Sequence, residues 1–415
     1  MSVFSKDLVA KDLETIILTR RFHPVGQGAF YTEVFSCGGK TCFCAVYDCG
    51  TETGQSRFDK SGSKHLTEQI DEFVEKNDIR QIDLLCISHF HKDHISGLDH
   101  LINYGKRPLK VMKTLIPMLP EEVVTLTRMH NLLLYGDESS RMDGIVKELY
   151  YGDSKGRGRF GEVIAVSPEE GEMHTGNNDN SRLLPSFGRR VDNGKDLDFN
   201  AGENGRDKSL FWIYKPFNPI LPSESIAKQV LDNIKGSLLE TFRADGTLDA
   251  ERIMNDKDFR GKLKQAYNKA FEKKGDNLYS LVVESKPASE VSVLSWKEDK
   301  RIVSDAMSRS PYEMAKCLYF GDLDCSGKTW DRLTNTFNDY KEIGVVQIPH
   351  HGAKKNFEPK MLDDNPRLFV ASAGSTNGYH HPNYWVLNEI SLRGGEWRVV
   401  SEDMGSEVRL EYKIG

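Results

Sequence analysis

Apolar positions along the chain fall into short alternating blocks and helical stripes, and these set out the elements. "GAFYTEVFSCGGKTCFCAVYDCGT" (28–51) reads as two strands joined around Gly38-Gly39, a hairpin turn signal. Cys42 and Cys44 alternate in this run and are expected on one face of the strand. "KHLTEQIDEFVEKN" (64–77), with Leu66, Ile70 and Phe73, predicts an amphipathic helix. "IDLLCI" (82–87) is a continuous apolar run that ends abruptly, the pattern of a buried strand. A helix is predicted over 95–105 with Ser96 as its cap, a strand over 109–119 and a helix over 121–136.

Residues 137–208 are rich in Gly, Asp, Asn and Arg, with only "EVIAVSP" (162–168) strand-like, and are expected to form an irregular polar insertion. "SLFWIYKPF" (209–217) returns to a strand pattern. A helical insertion is predicted over 223–275. Its clearest helix carries Ile226, Val230, Leu231, Ile234, Leu238 and Leu239 in one stripe. Strands are then expected at 277–285, 316–322, 343–352, 367–374 and 398–405, with a helix at 330–340. The alternation defines an α/β chain, read as a single domain over 1–415 with two facing sheets and helices outside.

Composition changes this picture little. A hydrophobic fraction of 38% supports a real core, and no window has the length of an apolar span. The first residues are charged and lack the apolar stretch of a secretion signal. Seven cysteines without a framework suggest a reduced, cytoplasmic chain with no membrane association. The net charge of −6 gives the whole molecule no attraction for nucleic acid, though a local basic surface is compatible with it.

The chemistry is concentrated at strand ends. "SHFHKDHISG" (88–97) places His89, His91, Asp93 and His94 directly after the 82–87 strand. An HxH pair on extended backbone turns two imidazoles to one side, where they can grip one metal ion. Asp93 and His94 follow where the chain must turn, and can face a second ion. Four such groups in six positions are hard to read as an ordinary polar turn. "LYFGDLD" (318–324) adds Asp322 after another apolar strand. Alone it would pass for a Gly-Asp turn, but a carboxylate there can bridge two cations. "IPHHG" (348–352) adds His350 and His351, and "GYHHPN" (378–383) adds His380 and His381. These clusters hold seven of the twelve histidines; His23, His65, His100, His130 and His174 are scattered and read as ordinary structural or surface residues.

"HFHKDH" resembles the HxHxDH signature of the metallo-β-lactamase fold superfamily. "HPVGQGAFYTEVF" (23–35), "VYDCGT" (46–51), "LYFGDLD", "IPHHGAKKN" and "SAGSTNGYHHPN" resemble, in order, segments of the branch that includes the soluble hydrolase domain of ComEC-type competence proteins. The resemblance covers 23–51, 82–98 and 316–390; nothing carries over to about 105–275. It implies a four-layer αββα sandwich with two divalent ions at the sheet edge. His89 and His91 would bind one ion and Asp93 and His94 the other. Asp322 would bridge them, and His350 or His351 would complete the second site. Asp48 would hold a ligand ring from behind. Many superfamily members carry a further histidine between the first motif and the bridging aspartate; His130 and His174 are the candidates here, and neither stands at a strand end. Ala353 replaces a serine frequent in the family.

Imidazole with carboxylate suits zinc first, and manganese where oxygen ligands dominate. The expected function is metal-dependent hydrolysis with a metal-activated water, by a phosphodiesterase or nuclease acting on DNA or RNA. Asp93 would face the nucleophilic water, and His381, at the family's His-Pro position, would contact a phosphate or protonate the leaving oxygen. "KKN" (354–356), beside the histidines, fits a nucleic-acid substrate. The acidic net charge fits a small-molecule hydrolase of a phosphoester, thioester or lactone somewhat better. A non-catalytic metal-binding interaction protein is the third reading. Metal content separates that reading from the other two, and salt-sensitive binding of single strands separates the first two from each other.

Overall fold

The apolar blocks resolve into two large sheets stacked face to face. The computed structural model describes residues 15–53, 61–105, 108–134, 139–152, 158–168, 182–200, 210–219, 223–271, 279–299, 309–362 and 367–415. Among these, the first sheet has nine strands in the order Val293–Glu298, Val408–Ile414, Ile16–Phe22, Phe30–Cys37, Lys40–Cys49, Gln81–Cys86, Lys110–Pro117, Glu162–Val166 and Arg189–Val191. The second has seven: Leu197–Asn200, Leu210–Phe217, Val282–Pro287, Cys317–Tyr319, Val345–Gln347, Leu368–Ser372 and Glu396–Val400.

Period-two alternation gives each sheet two apolar faces. Leu84 and Cys86 point into the layer between the sheets, where they meet Tyr319, Val345 and Val370. Leu85 and Ile87 point outward, to a helical layer that includes Phe73 and Leu101. On the far side, Trp330, Leu333 and Ile390 from the helices Lys328–Thr336 and Tyr384–Leu392 cover the second sheet. The result is a four-layer αββα sandwich. Between the sheets a buried ion pair, Arg20 Nε to Glu33 Oε1 at 2.7 Å, is completed by Tyr319 on Oε1 and by Tyr214 and Ser285 on Oε2. Every carboxylate oxygen is therefore satisfied, the condition for keeping charge in a core.

Four details differ from the sequence reading. Cys44 faces the helices, but Cys42 packs toward the opposite side of the sheet. A bulge explains this: Phe35 pairs with Phe43 and Ser36 with Thr41, leaving Cys42 as the extra residue that reverses the alternation. The stretch 95–105 is not one helix: Lys92–Ile95 and Leu98–Ile102 are separate short helices, and Ser96 ends the first, its Oγ accepting from Thr51 N at 3.0 Å. The polar stretch 137–208 contains the helix Ser139–Tyr151, whose Met142, Ile145, Val146 and Leu149 are buried. In the helical stretch Val230, Leu231 and Ile234 join the core beside the first sheet, as do Ile253 and Leu263 farther on. Leu239 does not; it lies past the helix end at Ser237 and is 72% exposed. Ile226 and residues 272–275 lie outside the described side chains. No helix among the described residues is long and apolar enough to cross a membrane.

The parallel strands position the site. Lys40–Cys49, Gln81–Cys86 and Lys110–Pro117 run parallel, as do Cys317–Tyr319, Val345–Gln347, Leu368–Ser372 and Glu396–Val400. The loops after five of them meet at one edge, where open α/β sheets bind ligands.

Candidate metal centre

Asp48 ends one strand, and the segment after Cys86 carries Ser88 to His94. Gly50 makes their close approach feasible. A Cβ there would lie 2.5 Å from Lys92 O and 2.6 Å from the Asp93 carbonyl carbon. The backbones are stitched by Gly50 N to Ala29 O and Ala29 N to Asp93 O, both 2.9 Å. Gly321, at φ +55°, plays the same part on the other sheet, where a Cβ would meet Ser280 Oγ at 2.3 Å. Asp48, His350 and His351 adopt the left-handed region without being glycine, at φ 54°, 47° and 54°. Such backbone costs energy and collects at functional sites.

Two donor groups result. Ligand atoms of Asp93, His94, Asp322 and His351 all lie within 4.8 Å of one another, and so do those of His89, His91 and Asp93. Asp93 belongs to both. His351 Nε2 is 3.0 Å from Asp93 Oδ2 and 3.7 Å from Asp322 Oδ1. His94 Nε2 is 3.2 Å from Asp322 Oδ1, and His89 Nε2 is 3.7 Å from Asp322 Oδ2. His350 Nε2 is 3.7 Å from Asp322 Oδ2, the oxygen that also faces His89, and His351 is the member of the pair inside the donor group.

The rings are held from behind. Asp48 Oδ1 accepts from Ser88 N (2.8 Å), and Oδ2 accepts from Ser88 Oγ (2.6 Å) and His94 Nδ1 (2.7 Å). Ser88 Oγ, having donated to Asp48, accepts from His89 Nδ1 at 3.0 Å. His351 Nδ1 donates to Ser372 O at 2.7 Å. Protons on Nδ1 leave the Nε2 atoms aimed into the cluster, the orientation of metal-bound imidazoles. His89 Nε2 and His94 Nε2 are buried there without a hydrogen bond.

The electrostatics describe a site that draws positive charge. Burial opposes ionisation of Asp93, but His94 and the His351 hydrogen bond hold its carboxyl below the usual range. Burial also opposes charge on Asp322, and His350, His94 and His351 outweigh it. Burial lowers His94 and His351, yet the facing carboxylates raise both above the ordinary imidazole value. Protons on these rings do what a divalent cation would do, with the same Nε2 atoms as its donors. The residues present therefore fit divalent metal.

His381 lies beside this cluster, its ring centroid 5.6 Å from His350 and 6.4 Å from His351. Asn377 fixes it, accepting from His381 N at 2.9 Å and donating to its carbonyl at 2.7 Å. Of the scattered histidines, His23 bonds Thr32, His65 bonds Pro24 O and His100 bonds Asp71, all outside the cluster. His174 lies outside the described residues. His130 is not at the surface: buried on the helix Glu121–Leu134 and outside both donor groups, it stacks on His91 at 4.4 Å and 20°. A second residue passed over in the sequence is Glu52, two positions past Gly50. Burial, and then the Asp93 charge, push its carboxyl up to about 7. Its signal was its place in the loop after "DCG".

The family comparison agrees with the fold. Residues 40–181 match the family model described as the metallo-beta-lactamase superfamily. Over 94 residues the chain is 31% identical to ComE operon protein 3 of Bacillus subtilis (strain 168), which is 22% of this chain and 12% of that protein. The chain thus spans about an eighth of that relative's length. Among solved structures it is similar to unliganded yeast PDE1 (10% identity, 96% of this chain and 99% of that one, TM-score 0.37). It is also similar to a long form RNase Z from yeast (12% identity, 80% of this chain and 32% of that one, TM-score 0.29).

Proposed function

We propose that the protein is a metal-dependent phosphodiesterase that cleaves nucleic acid. The observation that carries this is the sharing of Asp93 between two donor groups, with Asp322 beside both. Two adjacent cation positions suit displacement at phosphorus, where attacking and leaving oxygens both need stabilising. Divalent ions held by these donors, zinc or manganese, would polarise a phosphoryl oxygen and make water nucleophilic near neutral pH.

The chain's own residues do the rest. His89 and His91 serve one position; His94 and His351 serve the other, and Asp93 and Asp322 lie between. Asp48 and the Ser372 carbonyl keep the His94 and His351 protons on Nδ1. Burial of Asp322 and His89 excludes bulk water from the inner side. His381 stands at the outer side with its Nδ1 buried and without a hydrogen bond, placed to contact a phosphate or to hand a proton to the leaving oxygen.

The test is to measure bound metal in the purified protein and to incubate it with labelled DNA, labelled RNA, bis-p-nitrophenyl phosphate, a thioester and a lactone, with added zinc or manganese. Cleavage of nucleic acid that chelator abolishes supports the proposal. Turnover confined to the thioester or lactone replaces it with a small-molecule hydrolase. Stoichiometric metal with no turnover replaces it with a binding protein.

A further inference from the structure

The lip of the metal centre carries exposed aromatic rings. Tyr379 is 63% exposed and Tyr384 81%, on the two sides of His381 in the chain. The Tyr379 ring stacks on His381 at 5.7 Å and 24°, and His381 lies near-parallel to His351 at 6.4 Å and 23°. A tier of rings therefore leads from solvent to the histidine that touches Asp93. The neighbouring turn Lys354–Asn356 presents two exposed lysines. Lys354 lies over the Trp385 ring at 4.8 Å, and Lys355 is near enough to His350 and His381 for its charge to act on both.

This lip is built rather than incidental. Asn383 N donates to Gly352 O at 2.9 Å, joining the histidine turn to the tyrosine loop, and Asn377 braces that loop from within. Two exposed rings beside two groups of metal-donor side chains match one chemistry closely. Unpaired bases stack on aromatic faces while lysines meet the phosphates, and the bond between successive nucleotides then falls over the adjacent acidic and histidine donors. Duplex DNA hides its base faces and cannot use such a surface.

We propose that Tyr379, with Tyr384, Lys354 and Lys355, forms a base-stacking platform that presents single-stranded nucleic acid to the metal centre. The inference rests on the phosphodiesterase reading and names its substrate class. It is tested with the metal-loaded full chain on a short oligo(dT), the matching oligo(rU) and an abasic deoxyribose-phosphate oligomer of equal length. The wild type should prefer base-bearing strands in kcat/KM. Tyr379→Ala should cut that preference about tenfold, mainly through KM, and Tyr379→Phe should keep it. A loss confined to oligo(dT) or to oligo(rU) identifies the strand served. An equal rate on abasic and base-bearing oligomers, or a preference intact in Tyr379→Ala, overturns the platform and leaves the phosphodiesterase reading standing. If no phosphodiester is cleaved, that reading fails, and fluorescence anisotropy decides the platform: oligomer binding as tight in Tyr379→Ala as in wild type overturns it.

Discussion

The His130 ring lies parallel to the His91 ring, 4.4 Å away and 20° inclined, while its Nδ1 meets Tyr267 OH at 3.3 Å. Next to it, Asn131 Nδ2 donates to Phe90 O at 3.0 Å. One helix thus clamps the short His89–His91 segment, and Tyr267 on the helix Lys257–Phe271 steadies the clamp. Supporting residues of this kind are worth roughly 10–100-fold in metal affinity. We expect His130→Ala to weaken binding at the donor group of His89, His91 and Asp93 by that order, and Tyr267→Phe to give a smaller loss in the same direction. Competition with a chromophoric chelator measures both. Wild-type affinity in His130→Ala would show that the stack contributes nothing.

Asp48→Asn probes the other side. Asparagine tolerates the left-handed backbone at φ 54° and keeps the side-chain shape, so the fold should persist. Its amide can still accept from Ser88 N, but the NH2 group then faces His94 Nδ1–H. The ring would have to move its proton to Nε2, 3.2 Å from Asp322 Oδ1, where it blocks the donor position. The expected result is a folded protein with metal affinity lowered roughly 10–100-fold. Circular dichroism and metal analysis on one preparation suffice; a fully loaded variant refutes the role given to Asp48.

The residues at strand ends were legible because their signal is local. A run such as "IDLLCI" announces a buried strand, and the groups just past it must lie at the sheet's edge. His130 carried no such signal. It reaches His91 through the packing of a helix against a loop, which no period in the sequence records. The strands Ile16–Phe22 and Val408–Ile414 went unread for a related reason. They pair with each other from opposite ends of the chain, and the first contains Arg20, which is fully buried because Glu33 awaits it on the next strand. The helix Ser139–Tyr151 was masked by its polar surroundings and by Asp143, which proves to be the buried partner of Arg128 at 2.6 Å.

The helical stretch 223–271 forms part of the core, and its removal should show it. Val230, Ile234, Ile253 and Leu263 are each fully buried in the cluster that also covers the first sheet. Excision with a Gly-Ser link would expose that face, and we expect an insoluble product. Leu263→Ala gives a graded version: loss of a buried leucine should cost about 2–5 kcal/mol. Urea unfolding of the variant measures it. A cost near zero, or a soluble and cooperative deletion protein, would show the helices to be an appendage.

Stability should also fall as pH rises from about 4.5 to about 7, because of Glu284. This residue is buried on the central strand Val282–Pro287, with Lys286 Nζ 2.8 Å from Oε2. Burial, only partly offset by Lys286, pushes its carboxyl from the ordinary 4.5 up to about 7. Below pH 4.5 the group is protonated in folded and unfolded chains alike, and its contribution is intact. Between 4.5 and 7 the unfolded chain releases the proton first, so stability declines as pH rises; above 7 the loss is complete, on the order of 2–3 kcal/mol. Glu284→Gln removes the ionisation, while Lys286 keeps Asp339 at 2.9 Å as a partner. The variant should therefore match the wild type at pH 4.5 and exceed it at pH 8 by about 1–3 kcal/mol. Urea titrations of both proteins at the two pH values check this, since comparison at a fixed pH cancels any change in metal occupancy. A variant weaker than wild type at pH 8, or a difference that does not change with pH, would mean that Glu284 is held ionised by Lys286 and contributes to the fold as a charge.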